Sequence, residues 1–276
     1  MTQVIDSIDA VADQFDAIVF DQWGVLHDGT SPYDGVPDAV AALARTHVLG
    51  VLSNSGKRAA ENAARIARMG YDTCLFHTIM TSGEAYWQAC ATQTDPGPLL
   101  AITAAPGDAR IWAAGLDLTF ADDVGGAAAI LLMGLPEWSD GTAESRMLDA
   151  AFDRGLPMVC TNPDRVSPRA DRRQVGPGAL AHAYADRGGD VTFYGKPHRP
   201  VFDALARALD VRPDRILMVG DSLEHDIAGA FDAGWQTLFV QGGLAVADFA
   251  SGPARPTLAR LAGDAPMPDY TLFHVR

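Results

Sequence analysis

The chain has 276 residues, 48% of them hydrophobic, enough for one large domain or for a core with a second domain. Acidic residues (35) outnumber basic ones (21), and the net charge of −14 disfavours nucleic acid and anionic membranes as partners. No apolar run reaches the roughly 18 residues that cross a bilayer, and no basic leader precedes an apolar stretch after Met1, so a cytoplasmic protein is expected.

Residues 17–20 (AIVF) form a short apolar run that predicts a buried strand ending at Asp21. Residues 36–46 have helical spacing, with Pro37 in the first turn. A second buried strand is predicted at 48–52, followed by Ser53 and Asn54. A helix is predicted at 57–69, with Gly70 as its C-cap. Strands follow at 99–103, 128–133 and 158–161, separated by helices at 107–114 and 144–154. A third series is predicted: strand 191–194, helix 200–209, strand 216–219, helix 223–233 and strand 236–240. Residues 252–268 carry four prolines and predict an irregular tail. Cys74, Cys90 and Cys160 have no metal-binding or CxxC spacing and are expected to be buried small hydrophobes in a reducing compartment.

Strands alternating with helices predict a parallel sheet covered on both faces. Ligands of such sheets sit beyond the carboxyl ends of the strands. Asp21, Ser53, Lys196 and Asp221 each fall at or just past such an end. A carboxylate at position 21 can attack phosphorus, although capping a turn is the commoner work of a loop Asp. Asp221 shifts that balance, because two carboxylates at strand ends form an oxygen-rich site suited to Mg²⁺. Asp226, five residues further on, can assist the metal or stabilise a helix first turn. Ser53 and Asn54 can hold phosphate oxygens or cap the next helix. Lys196 is one of only two lysines and supplies the local positive charge that phosphoryl chemistry needs on an acidic protein.

Taken in order, these segments resemble the motifs of the haloacid dehalogenase (HAD) superfamily. The matching residues are Phe20-Asp21 with Gly24-Val25, then Leu52-Ser53-Asn54, then Gly195-Lys196-Pro197, then Val219-Gly220-Asp221-Ser222 with Asp226. The insert of about 100 residues, with Cys160-Thr-Asn162-Pro-Asp164, resembles the α/β cap of the class IIA, NagD-like phosphatases. The resemblance implies an α/β fold: a Rossmann-like three-layer α/β/α core at 1–81 and 188–276, with an inserted cap at 82–187. It implies a hydrolase acting on a small phosphorylated metabolite with Mg²⁺, and a possible homodimer through the cap. By resemblance Asp21 is the nucleophile. The metal ligands are Asp21, the backbone carbonyl of Trp23 and Asp221, with Asp226 assisting. Ser53 and Lys196 hold the phosphoryl group, and Asn162 and Asp164 face the substrate, a turn role being equally open to them.

Position 23 departs from the family. Phosphatases of this type carry a second Asp there, which protonates the leaving alcohol and later activates water; this chain has Trp23. Three readings follow. The first is a phosphatase using another acid (His27 and Asp28 are near in sequence) or a leaving group that needs none. The second is a different reaction on the same scaffold. The third is a catalytically weak phosphate-binding or regulatory protein.

Overall fold

Two parallel sheets and one hairpin organise the computed structural model, which describes residues 2–92, 95–168, 173–250 and 252–276. In chain order the strands are β1 (Gln3–Val4), β2 (Ala17–Phe20), β3 (Val48–Ser53), β4 (Thr78–Thr81), β5 (Leu99–Ile102), β6 (Ala129–Leu132), β7 (Met158–Cys160), β8 (Val166–Pro168), β9 (Arg173–Val175), β10 (Val191–Phe193), β11 (Ile216–Gly220), β12 (Gln236–Val240) and β13 (Tyr270–Leu272). The chain divides into two compact units. The first comprises 1–53, 60–80 and 196–276; the second comprises 54–59 and 81–195.

The first unit holds a seven-stranded sheet in the order β1-β13-β12-β11-β2-β3-β4. Every pair with a defined register is parallel. β2 and β11 are buried along their whole length, as central strands covered on both faces must be. Alternate residues feed opposite faces. Ile18, Phe20, Leu217, Val219, Leu238 and Val240 join Val36, Val40, Leu43 and Ile66 in one cluster. Phe239 packs with Ile227, Phe249 and Leu258 in another. Helix Arg199–Leu209 has Pro200 in its first turn and buries Val201, Phe202, Ala204, Leu205 and Leu209, a single apolar stripe. That stripe lies on β3, where Gly50 leaves room for Leu205 and Leu209.

From β2 the chain runs outward to β3 and β4. It returns to the sheet on the opposite side of β2, at β11. The gap between β2 and β11 is therefore the topological switch point, where two loops diverge and leave a crevice at the carboxyl ends. Among the described residues, no helix is long and apolar enough to cross a membrane.

The second unit has a four-stranded parallel sheet, β10-β7-β6-β5. Leu100, Ile102, Ile130 and Leu132 face one cluster, and Leu99, Leu131 and Met133 face the other. The hairpin β8–β9 is antiparallel.

Three expectations are corrected. Residues 191–193 were expected in the core sheet, but β10 pairs with β7, and the second unit runs to Gly195 rather than to 187. A strand followed by a helix is compatible with either sheet, so local pattern could not choose. The proline-rich tail contains helix Ala254–Ala262. Pro256 lies in its first turn, where the missing N–H has no helical partner to lose, and Thr257, Leu258 and Ala262 anchor it. Of the cysteines only Cys160 is buried; Cys90 is intermediate and Cys74 exposed.

Leu217 is fully buried in the central strand beside the switch point. Leu217→Ala should cost about 2–5 kcal/mol, read as a lower urea midpoint with an unchanged slope for the first unit.

Candidate active site

Parallel pairing sets the first distances. Phe20 is in register with Val219 on one side and Val51 on the other. Asp21 and Asp221 therefore leave neighbouring strand ends together, and the Asp21 N–H still bonds to the Val219 carbonyl at 2.9 Å. The carboxylates of Asp21, Asp221 and Asp226 bring one oxygen each within 4.8 Å of one another.

Lys196 ties this group to the third strand. Its Nζ donates to Asp21 Oδ1 at 2.7 Å, to Asp226 Oδ1 at 2.7 Å and to the Leu52 carbonyl at 3.3 Å. Asp226 is set on one wide π turn, Leu223–Ile227, within the segment that sequence predicts as a continuous helix. The turn aims Asp226 back at its own strand end, and its Oδ2 accepts the N–H groups of Asp221 (3.2 Å) and Ser222 (3.1 Å). Both oxygens of Asp226 are thus occupied by donors. Asp221 differs. Its Oδ2 accepts the Leu244 N–H at 2.7 Å, while its buried Oδ1 has no partner.

Glycine makes the crowding possible. A Cβ at Gly24, whose φ is +87°, would stand 1.8 Å from Asp221 Oδ2; at Gly243 the same atom would be 2.2 Å away. At Gly220 a Cβ would meet that of Asp226 at 2.2 Å.

The electrostatics follow from burial. Asp221 is pushed well above its ordinary carboxylate range by burial and by the charges of Asp21 and Asp226. Asp21 is raised to about 7 by burial and by Asp226, against the pull of Lys196. It nevertheless keeps 15% of its side chain open, whereas Lys196 keeps 3% and Asp226 none. Asp21 is therefore the member of the ion-paired group that an incoming molecule can reach. For Lys196, burial alone would lower the ammonium; Asp21 and Asp226 outweigh it and hold the charge on.

The other sequence candidates are more dispersed. Ser53 ends β3, directly after the carbonyl that binds Lys196. Asn54, Asn162 and Asp164 belong to the second unit. Asn54 Nδ2 donates to Asp164 Oδ1 at 2.7 Å, and the Asp164 N–H donates to Asn162 Oδ1 at 3.2 Å, so the Asn-Pro-Asp segment forms an Asx turn locked to Asn54. Trp23 folds its indole over Gly29, where a Cβ would lie 2.8 Å from Nε1. His27 is fully buried. Its Nδ1 accepts the Gly29 N–H at 3.0 Å, its Nε2 has no partner, and burial lowers it to about 4. Asp28 turns away into its own loop, with Oδ1 accepting from Thr30 N, Thr30 Oγ1 and Ser31 N. Leu244 was not foreseen, because a backbone donor carries no residue-type signal; the Gly242-Gly243 pair after β12 was its only trace.

A haloacid dehalogenase-like hydrolase model matches residues 18–117, and a HAD-hydrolase-like model matches 193–261. Mouse (Mus musculus) chronophin is 30% identical over 246 residues, covering 85% of this chain and 83% of its own length. The chain belongs to the haloacid dehalogenase superfamily. It is a HAD hydrolase related to phosphatases: human glycerol-3-phosphate phosphatase is 28% identical over 261 residues, with 83% of this chain and 79% of that protein covered. A HAD-like hydrolase structure from Brucella suis 1330 superposes with a TM-score of 0.82 at 27% identity, covering 99% of this chain and all of that one. A glycerol phosphate phosphatase from Mycobacterium tuberculosis, solved with magnesium, shares the fold at a TM-score of 0.73 and 23% identity, over 96% of this chain and 76% of its own.

The donor set fits the divalent cation that this family implies. Fully ionised, the three carboxylates and one ammonium carry a formal balance of −2, and Asp221 Oδ1 is an unsatisfied buried oxygen. Hard oxygen donors with a −2 balance suit Mg²⁺.

One pH consequence has a definite sign. A carboxyl raised from 3.8 to about 7 keeps its proton in the folded state after the unfolded chain has released it. Without metal, stability should therefore fall as pH rises from about 4 to 7. In chelator at pH 8, Asp221→Asn should melt at a higher temperature than the native chain, measured by thermal unfolding. A lower melting temperature would contradict the assigned charge balance.

Proposed function

We propose that the protein is a cytoplasmic, Mg²⁺-dependent phosphatase that hydrolyses a small phosphorylated metabolite through an aspartyl-phosphate at Asp21. The observation that supports this most is the buried Lys196 ammonium joining Asp21 to Asp226 beside an unpartnered Asp221 oxygen, at the switch point of the sheet. Asp21 is the accessible carboxylate of the paired set, and its attack on phosphorus needs its charge partly neutralised, which Lys196 does. Mg²⁺ would be held by Asp21, Asp221 and the Trp23 carbonyl, and when bound supplies positive charge to the phosphoryl oxygens. Asp226 supports this set by fixing Lys196 and the 221–222 backbone. Ser53 is assigned to phosphoryl contact from the end of β3, and Asn54, Asn162 and Asp164 to substrate recognition. The free cysteines support a reducing compartment.

A second reading has one observation in its favour: position 23 carries an indole, which gives no proton at neutral pH. A phosphate-binding protein of low activity would have this feature too. One assay separates the two. With Mg²⁺, p-nitrophenyl phosphate should be hydrolysed, chelator should stop the reaction, and Asp21→Asn should lower kcat by at least about 10³-fold, as loss of a nucleophile does. Tight binding of phosphate with no turnover would favour the binding protein.

A further inference from the structure

We propose that this site is specialised for phosphate esters and anhydrides whose leaving group is stable as an anion (aryl, enol or acyl phosphates) and that it discriminates against alkyl phosphates. The proposal rests on the phosphatase reading and narrows its substrate class.

Six described groups of the first unit are candidates for the missing acid, and each is ill suited to deliver a proton. Trp23 is a neutral indole folded onto Gly29. His27 is fully buried, and its Nδ1 accepts the Gly29 N–H. Asp28 is exposed and ionised, drawn down to about 2 by the Ser31 and Thr30 donors on its carboxylate. Lys196 already gives its hydrogen bonds to Asp21, Asp226 and the Leu52 carbonyl. Tyr33 stacks on His274 at 5.3 Å; burial and Asp221 make its phenol a weaker acid than usual. His274 lies against Gly242, and burial lowers its imidazole. Leu244, which holds Asp221 through its N–H, and Phe273, whose carbonyl binds the Gly242 N–H, are about half exposed at 51% and 52%. Both belong to the backbone around the Gly242–Leu244 loop, and an exposed apolar surface there suits an aryl group better than a polyol.

The balance of the reaction sets what this costs. In the first step an Asp21 oxygen forms a bond to phosphorus while the bond from phosphorus to the leaving oxygen breaks. That oxygen departs with its electron pair, as RO⁻ if no acid protonates it. An alkoxide is a poor departing anion, whereas a phenolate, enolate or carboxylate is stable. In the second step water attacks phosphorus, the bond to Asp21 breaks, Asp21 regains its carboxylate, and HPO₄²⁻ and one proton are released to solvent. Asp28 is a poor base for that water, because three donors hold its Oδ1 within its own loop. For good leaving groups the second step therefore limits turnover, and the phosphorylated protein accumulates.

The test compares kcat/KM in Mg²⁺ for p-nitrophenyl phosphate, phenyl phosphate and acetyl phosphate with that for glycerol-3-phosphate. The aryl and acyl substrates should exceed glycerol-3-phosphate by about 10²–10⁴-fold, the usual worth of general acid–base help. Rapid mixing with p-nitrophenyl phosphate should give a burst of nitrophenol near one equivalent of protein. Trp23→Asp, which restores a carboxyl, should narrow the gap by about tenfold or more through faster glycerol-3-phosphate turnover. Comparable native rates on glycerol-3-phosphate and on the aryl esters would overturn the selectivity and leave the phosphatase reading standing. Failure to turn over any of the four substrates would overturn the phosphatase reading itself.

Discussion

The site depends on one ammonium. Lys196 is nearly inaccessible, and its Nζ lies 2.7 Å from both Asp21 and Asp226. Three acidic side chains converge within 4.8 Å, and in a buried setting they would repel one another strongly. With all three ionised, Lys196 offsets one unit of that charge and leaves a formal −2, which suits a divalent cation. A buried pair that loses one partner leaves a bare charge, at a cost of about 3–5 kcal/mol. The same contact thus restrains the fold and, under the proposed function, prepares the chemistry. It also joins distant parts of the chain: Asp21 follows the second strand, Lys196 lies 175 residues later, and Asp226 another 30.

Backbone geometry decides which carboxylate does what. Asp226 is saturated by Lys196 and two N–H groups, which makes it a bracket. Asp221 is half satisfied and fully enclosed, which makes it a natural cation ligand. Asp21 alone keeps an opening among the ion-paired residues, which is what the proposed nucleophile needs. These three roles arise from one residue type, separated by the register of β2 and β11 and by a single wide turn.

Much of this was legible in the chain. Apolar runs ending in Asp21 and Asp221, with Lys196 after a Gly, mark strand ends by composition alone, and the order of the segments fixed the family. Periodicity could not say which sheet receives residues 191–193, because pairing is a long-range choice made by the β7 neighbour. It could not find the helix behind Pro253 and Pro256, since prolines read as breakers unless their place in the first turn is known. His27 and Asp28 looked like substitute acids because sequence gives proximity without direction. The structure buries one and turns the other into its own loop. The Leu244 N–H was invisible for the opposite reason, as a backbone donor belongs to every residue.

Trp23 has a consequence outside chemistry. The chain has five tryptophans; Trp112 and Trp235 are enclosed, at 1% and 3% exposure, and Trp138 is open at 77%. Trp23 sits two residues from Asp21, partly open, with its indole nitrogen over a glycine rather than in a packed core. Indole emission responds to nearby charge and to loss of water. Under the proposed function, an oxyanion arriving beside Asp21 changes both, and Trp23 becomes a built-in optical reporter of occupancy.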